Sequence, residues 1–398
     1  METSPGIRKK IFVLLSRVPW PLEKGDKLRA FYQLRELSEN HDIILCALNQ
    51  GTVHPDAHAA LKPFVRHLYF IPLKKYGIIN RLTFNWFGTL PFQVAYFFDD
   101  KIRQKIQGLL KEHQPDHIYC QLIRMAHYLK DVKTDKTIDY QDVFSKGLKR
   151  RMEIAPWYLK PVLNIEYQRV MKYEARVFDF FDKKTIISLP DREAIGHPRK
   201  EEIVIIPNGV DTTFFQPLNT EKTFDLIFSG NMGYPPNINA ARYLVKQIMP
   251  LVWQHDPGIS LVLAGTNPSP AVKALAGERV RITGWVNDMR HYYGRARIFV
   301  APMQIGTGLQ NKVLEAMAMK LPCITSPLAN QALGAQEGKD ILIGNNPENY
   351  AKQIVTLLND PEKYNTLATN GYQFIQRHFN WKKICQKLES VIVQNNRT

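Results

Sequence analysis

The sequence predicts an α/β protein in which two parallel β-sheets are each covered by helices. Short apolar runs such as Ile11–Leu15 are typical of strands that are buried on both faces. Helical segments separate successive runs, and the alternation starts again after a turn at Pro207. At 398 residues, the chain is long enough for two domains. We therefore predict two Rossmann-like, doubly wound halves.

Apolar runs place seven strands in the first half and six in the second. The first seven are Ile11–Leu15, Asp42–Leu48, Val65–Pro72, Asp116–Cys120, Thr137–Tyr140, Lys184–Ser188 and Glu202–Ile206. The other six are Leu226–Ser229, Ser260–Ala264, Val280–Thr283, Ile298–Ala301, Pro322–Ser326 and Ile341–Ile343. Helical spacing predicts a helix from about Lys27, and helices at Lys101–Glu112, Ile238–Trp253, Met289–Arg295, Asn311–Met319 and Trp381–Val393.

The charge is strongly positive and unevenly distributed. The net charge is +16, and residues 1–200 hold 34 Lys and Arg against 22 Asp and Glu. Such a field attracts a phosphate-bearing substrate, an anionic membrane or nucleic acid. No recognisable nucleic-acid-binding module is present, so we expect no nucleic-acid partner.

Cysteine usage and hydropathy bear on location. The four cysteines show neither CxxC pairing nor zinc-ligand spacing, and most lie in apolar runs, which predicts buried, reduced thiols. No apolar stretch approaches the roughly 18–20 residues of a membrane span, and no signal peptide is visible. We predict a cytoplasmic protein, with peripheral contact at the inner face of the plasma membrane as a further expectation.

The segment Gly306–Thr325 is the most informative for function. It follows an apolar run and consists of a glycine loop, a helix from about Gln310 and another strand. Glycines allow a ligand to approach the backbone, and a helix N-terminus favours phosphate. Lys312 adds a positive charge in the first turn, and Glu315 can accept hydrogen bonds from a ribose. This pattern predicts a nucleotide ligand; the alternative is an ordinary βαβ unit with Lys312 and Glu315 as a surface pair.

Four motifs in the second half resemble family 4 retaining glycosyltransferases of the GT-B fold. They are Ile206–Asp211, Leu263–Gly265 with Ile282–Val286, Gly306–Pro322 and Phe379–Trp381. The loop at Lys24–Lys27 and the segments Asp139–Ser145 and Ser229–Gly233 resemble a subgroup associated with exopolysaccharide and exosortase (PEP-CTERM) systems.

The resemblance implies a two-domain enzyme with a central cleft. Residues 1–205 would bind the acceptor, residues 206–378 the nucleotide sugar, and the helix in 379–398 would pack back on the first domain. The implied reaction transfers a sugar from a UDP- or GDP-linked donor to a glycan or lipid-linked glycan in polysaccharide biosynthesis. The nucleotide sugar is then a co-substrate, and no resident cofactor is expected.

The resemblance also assigns roles to individual residues. Glu315 would bind the ribose, the backbone of residues 306–308 with Lys312 the diphosphate, and Gly284–Val286 the base. The residues implied in donor binding are Gly25, Gly230, Asn231, Gly284, Trp285, Val286, Gly306, Thr307, Gly308, Leu309, Lys312 and Glu315. Those implied in catalysis or acceptor contact are Lys312, Asp142 and Arg124.

Two positions depart from the family pattern. Thr307 stands where the family often has a glutamate that contacts the donor sugar. The usual Arg and Lys pair after the first donor-domain strand is replaced by the run 231–237, which holds neither. Phosphate neutralisation would then come from Lys312, from Arg17, Lys24 or Lys27, or from helix dipoles.

The chain contains no Asp-x-Asp motif, which other sugar transferases use to hold a divalent cation. We therefore expect no metal ion, with amide dipoles and basic side chains stabilising the leaving diphosphate. The acceptor would attack from the face that the diphosphate leaves, so the sugar would keep its configuration. A GT-B nucleotide-sugar 2-epimerase and a non-catalytic nucleotide-sugar-binding partner remain as alternatives.

Two segments combine basic and aromatic residues. Lys74–Phe98 and the run from Lys146 through Trp157 and Tyr158 each suit a membrane interface, where a lipid-linked acceptor would be found. The alternatives are a helix with inward aromatic side chains for the first and a solvated helix face for the second.

Overall fold

The computed structural model describes residues 8–22, 24–85, 88–305 and 308–394. The chain forms two compact units. The first contains the described residues up to Pro207 and from Cys385 onward, and the second is Asn208–Ile384. All four cysteines are buried and none forms a disulfide, as predicted.

The first unit is built on a seven-stranded parallel sheet. Its strands are β1 Lys10–Leu15, β2 Asp42–Asn49, β3 His67–Pro72, β4 His117–Gln121, β5 Lys136–Asp139, β6 Lys183–Ile186 and β7 Val204–Ile205. Their order across the sheet is β3-β2-β1-β4-β5-β6-β7. From Ile11 to Leu15 every side chain of β1 is buried, as expected where helices cover both faces.

Nine helices surround this sheet in the described chain. They are α1 Gly25–Asn40, α2 Ala57–Leu61, α3 Lys75–Phe84, α4 Phe92–Phe97, α5 Asp100–His113, α6 Ile123–Ala126, α7 Phe144–Ile154, α8 Lys160–Phe178 and α9 Leu189–Arg192. In the segment 74–98, Phe97 is buried, and Tyr96 and Phe98 pack against the core. These aromatic side chains therefore follow the inward alternative; Trp86 and Phe87 lie outside the described residues.

The second unit repeats the architecture with six parallel strands. They are β8 Phe224–Ser229, β9 Leu261–Ala264, β10 Val280–Ile282, β11 Ala296–Ala301, β12 Cys323–Thr325 and β13 Leu342–Ile343. Their order is β10-β9-β8-β11-β12-β13. In both sheets the strand order reverses beside the first strand. In such folds, ligands bind outside the carboxyl ends of the strands at this reversal, here between β8 and β11.

The helices of the second unit lie between and after these strands. They are α10 Pro235–Tyr243, which continues through a π-helical turn at Leu244–Ile248 into α11 Met249–His255, then α12 Pro270–Lys273, α13 Arg290–Arg295, α14 Asn311–Ala318, α15 Pro327–Leu333, α16 Pro347–Asn359 and α17 Pro361–His378. The last helix, α18 Trp381–Val393, begins in the second unit and ends in the first.

Two of the sequence motifs meet in the second unit. Val210 N donates to Phe379 O at 2.8 Å, and Trp381 is almost fully buried. A methyl group on Gly209 would lie only 2.7 Å from the indole of Trp381. Only glycine fits there, which accounts for its place in the motif Ile206–Asp211.

The end of α18 is held to the first unit by polar contacts. Asn40 Nδ2 donates to Glu389 Oε1 at 3.0 Å, and His41 Nε2 lies 3.2 Å from the same oxygen. Lys183 Nζ donates to Ile392 O at 3.2 Å. The C-terminal turns of α18 are therefore part of the first unit.

Candidate functional site

Glycines bring the loops after β8 and β9 into direct contact. Gly230 follows β8 with a φ of +146°, and its N–H donates to Ala264 O at 3.0 Å. A methyl group on Gly265 would lie 1.9 Å from Gly230 O. No side chain can be accommodated at Gly265, so the two loops pack backbone against backbone.

Thr283 extends this edge to the loop after β10. Its Oγ1 accepts from Gly265 N at 3.2 Å and donates to Gly284 O at 2.8 Å. Gly284 takes a left-handed φ of +68°, and Trp285 beside it is 70% exposed. An indole held this far out of the core offers an aromatic surface for stacking. Val286, the third residue expected near a base, is half-buried.

The predicted phosphate loop leads into α14 on the other side of the reversal. Gly308 O accepts from Gln310 Nε2 at 2.8 Å, and Leu309 packs against the core. Gly306 and Thr307 were expected to contact the donor; both lie outside the described residues. The described loop leads directly into the N-terminal turn of α14, which carries Lys312.

The ammonium group of Lys312 lies at the strand reversal. Its Nζ donates to Asn237 Oδ1 and lies 4.9 Å from the centre of the Phe228 ring. A methyl group on Gly230 would be 3.3 Å from Nζ, so the amine borders the first strand's end. Burial lowers the pKa of Lys312 to about 7, although the nearby Glu315 acts in the opposite direction.

One turn along α14, Glu315 has a different partner. Tyr293 Oη donates to Glu315 Oε2 at 2.9 Å, and Ser229 Oγ lies 2.8 Å from the same hydroxyl. Burial raises the pKa of Glu315 to about 7, with Tyr293 and Lys312 opposing this rise. Oε1 accepts no hydrogen bond from the part of the chain that the structure describes. This oxygen can therefore accept from a ligand hydroxyl.

Lys312 and Glu315 therefore do not behave as the surface pair considered as the alternative. Each is half-buried, and in the described chain each turns to its own partner, Asn237 or Tyr293. Sequence reasoning missed both partners. Asn237 follows Pro235 and Pro236 on α10, and Tyr293 lies on the short helix α13; neither belongs to a recognisable motif.

The remaining predicted residues belong to the first unit. Gly25 begins α1, is exposed, and has no described atom within 4 Å of where a Cβ would lie. The guanidinium of Arg124 lies over the rings of Phe97 and Phe144, 5.3 and 4.6 Å from their centres. Burial and the positive charge of Arg17 lower the pKa of Arg124.

Asp142 lies three residues beyond the end of β5. Burial of its carboxyl group and the nearby Asp191 raise its pKa to about 6, although the residue as a whole keeps an exposed surface. The negative charge of Asp26 acts to raise the pKa of both Arg124 and Asp142. Asp26 itself forms an ion pair with Arg17 at 3.2 Å. The carboxyl edge of the first sheet therefore carries charges of both signs.

Comparison with known proteins bears on this arrangement. Residues 223–360 match the family of glycosyl transferases group 1. This stretch contains Gly230, Trp285, Lys312 and Glu315. The chain is a glycosyltransferase of the GT-B fold.

Similar proteins match nearly the whole chain. The chain is 23% identical to an uncharacterised 44.6 kDa protein in the cps region of Klebsiella pneumoniae, covering 94% of this chain and 97% of that protein. Anabaena HepE, solved in complex with UDP and glucose, has a TM-score of 0.69 at 14% identity and covers 96% and 99% of the two chains. Sucrose-phosphate synthase from Thermosynechococcus elongatus has a TM-score of 0.68 at 17% identity, covering 96% and 98%.

These findings confirm the predicted GT-B fold and the family 4 type of transferase. A transferase assignment disfavours the epimerase and the non-catalytic alternatives. The exopolysaccharide and exosortase subgroup stays a prediction. Among the described residues, no helix is both long and apolar enough to cross a membrane.

Proposed function

We propose that this glycosyltransferase transfers a sugar, with retention of configuration, from a UDP- or GDP-linked donor to a glycan or lipid-linked glycan acceptor. The observation that carries the proposal is the placement of Lys312 and Glu315. They lie one helical turn apart at the strand reversal, each half-buried and each held by a separate partner. A cation and a carboxylate at this spacing suit a diphosphate and a ribose.

Lys312, positioned by Asn237, takes the place of the family's missing basic pair in this proposal. Lys312 Nζ is held beside Gly230, at the loop where those basic residues would follow the first donor-domain strand. Lys312 thus supplies the positive charge that the run 231–237 lacks, and Asn237 is its positioning residue. The nucleotide part of the proposal is supported by Anabaena HepE, which was solved with UDP.

The proposed reaction needs no covalent intermediate on the enzyme. The acceptor oxygen bonds to the anomeric carbon as the bond from that carbon to the diphosphate breaks. The acceptor proton passes to the leaving diphosphate on the same face of the sugar. Protonated Lys312 and the N-terminal amides of α14 stabilise the negative charge that develops there. Arg124 and Asp142 are proposed to contact the acceptor.

A role in polysaccharide biosynthesis is supported by the relative encoded in a cps region. The nucleotide sugar is a co-substrate in this proposal, and no metal ion or resident cofactor takes part. The reaction is proposed to take place in the cytoplasm.

Calorimetric titration of UDP, GDP, ADP and CMP tests the donor site. We expect one nucleotide to bind best, and Glu315→Ala to weaken it by about 1–3 kcal/mol, roughly five- to 150-fold, through the lost ribose contact. Lys312→Ala should weaken nucleoside diphosphates more than CMP, because it acts on the second phosphate. Glu337→Ala, which removes an exposed carboxylate from the same unit, is the matched control.

Two results would count against the proposal. If the wild type and both α14 variants bind nucleotides with equal affinity, the nucleotide does not bind at Lys312 and Glu315. If the protein converts a nucleotide sugar to its epimer without any acceptor, its activity is epimerisation and not sugar transfer. Product analysis by NMR of the anomeric centre separates retention from inversion.

A further inference from the structure

The most exposed aromatic cluster of the described chain lies where α7 and α8 meet. Trp157 is 82% and Tyr158 is 61% exposed, and Leu159 completes the same 3₁₀ turn. Val162 and Ile165 extend the apolar surface along the first turns of α8 and are also exposed. We call these five residues the α7–α8 apex.

Packing among the described residues does not explain this surface. The rings of Trp157 and Tyr158 contact each other edge to face, with centroids 6.1 Å apart. Further along α8, Val170, Tyr173 and Val177 are buried in the core. The same helix therefore packs through its C-terminal half and projects apolar side chains to solvent through its N-terminal half. An exposed apolar cluster of this kind marks an interaction site.

The charges around the apex are positive. Residues 144–165 contain five Lys and Arg and one acidic residue, Glu153. Lys149, Arg151 and Lys160 are exposed. Lys146 is engaged internally, because its Nζ lies 3.1 Å from Asp191. A cationic rim around exposed Trp and Tyr combines attraction to anionic headgroups with side chains that favour the interface of a bilayer.

We propose that the α7–α8 apex docks this glycosyltransferase on an anionic lipid surface. Trp157 and Tyr158 would enter the headgroup region, while Lys149 and Arg151 remain among the lipid phosphates. The inference rests on the apex alone and does not depend on the donor assignment. If both hold, the acceptor is presented at the membrane, as a lipid-linked glycan would be. In the segment 74–98, the described aromatic residues 96–98 face the core and are not part of this surface.

Co-sedimentation of the full chain with phosphatidylcholine vesicles, with and without phosphatidylglycerol, tests the proposal. We expect binding to the anionic vesicles alone, weakened by salt because exposed charges are screened. The double variant Lys149→Ala/Arg151→Ala should lower the partition coefficient about 30-fold, since each cation near the surface contributes about one kcal/mol. Trp157→Ser/Tyr158→Ser should lower it at least about tenfold by removing the inserted side chains.

Matched controls come from the other unit. Lys339→Ala/Lys363→Ala removes two exposed cations, and Trp285→Ser removes an exposed indole. Both should bind vesicles as the wild type does. Circular dichroism and thermal unfolding, which require no nucleotide, verify that each variant is folded. Vesicle binding is measured without nucleotide, so a wrong prediction for the apex can be distinguished from a wrong prediction for the donor site.

Other outcomes would overturn the proposal. One is the absence of binding to anionic vesicles at low salt. Another is wild-type binding by the apex variants, or an equal loss in the control variants. Sedimentation velocity tests the competing occupant, a second copy of the chain: a dimer that Trp157→Ser/Tyr158→Ser dissociates would assign the apex to self-association.

Discussion

Two pairs of charged residues lie at the carboxyl edges of the two sheets, and their hydrogen bonds within the chain differ in number. In the first unit, Arg29 and Asp139 are both 0% exposed and pair through two hydrogen bonds of 2.6 and 3.2 Å. Asp139 also accepts from Tyr119 at 2.8 Å and Thr185 at 3.1 Å. Each oxygen of this carboxylate thus has two donors within the chain.

In the second unit, Lys312 and Glu315 do not neutralise each other. Lys312 contacts a neutral amide, and Glu315 accepts from one hydroxyl through a single oxygen. Burial shifts both pKa values in the direction that favours the neutral form of each side chain. Charges that stabilise a fold are satisfied internally, whereas Lys312 and Glu315 retain unused bonding capacity at a cost in desolvation, as the proposed donor site requires.

The largest expected effect is on stability, at the satisfied pair. Asp139→Asn should lower the free energy of unfolding by about 3–5 kcal/mol, because Arg29 would remain buried without its counter-charge. Urea unfolding followed by circular dichroism measures the shift in midpoint. Asp42→Asn is the control: Asp42 pairs with Arg8 and Arg66 at a solvent-accessible site, and its loss should cost at most about 1 kcal/mol. If both variants unfold at similar urea concentrations, the Arg29–Asp139 pair stabilises the fold no more than a solvent-accessible pair does.

The second effect concerns the pH dependence of nucleotide binding. Lys312 loses its proton as pH rises through about 7, and Glu315 loses its charge as pH falls through about 7. Because the proposed complex needs both charged forms, affinity should be greatest near pH 7. The limiting loss on the alkaline side is about ten- to 150-fold, the contribution of one charge-assisted hydrogen bond.

Conservative variants separate the two limbs of this profile. Lys312→Arg should abolish the alkaline decline, since guanidinium stays protonated. Glu315→Gln should abolish the acid decline. The wild type and both variants are compared by calorimetry with the same nucleotide sugar. Any protonation of the ligand itself then affects all three profiles equally. An unchanged profile in either variant would contradict the role given to that residue.

The smallest expected effect is at Tyr293. Its hydrogen bond stabilises the ionised form of Glu315, so Tyr293→Phe should raise the pKa of Glu315 and move the acid limb to higher pH. At pH 8, affinity should fall by no more than about 1.5 kcal/mol. Tyr292→Phe, on the adjacent position of α13, is the matched control. A loss that is equal at all pH values would indicate a packing role for Tyr293 instead.

Much of the fold was predictable because strands and helices leave local patterns. All thirteen predicted strands are present, with ends that differ by up to two residues, as at Lys10–Leu15 and Ala296–Ala301. Lys312 and Glu315 could be proposed from the sequence because a glycine loop and a helix start are contiguous in the chain. The inward turn of the aromatic residues around Phe97 could not be decided, since basic and aromatic composition suits a core helix and a membrane surface equally.

By itself, the sequence determined the position of each strand to within two residues, and which segment carries the phosphate-loop pattern. These features depend on the spacing of apolar residues, on glycine and on charge over a few turns of chain. The tertiary structure alone decided that Asn237, 75 residues away, holds Lys312, and that Tyr293, 22 residues away, holds Glu315. Such pairs depend on the strand order β10-β9-β8-β11, which places distant loops side by side and leaves no periodic signal in the chain.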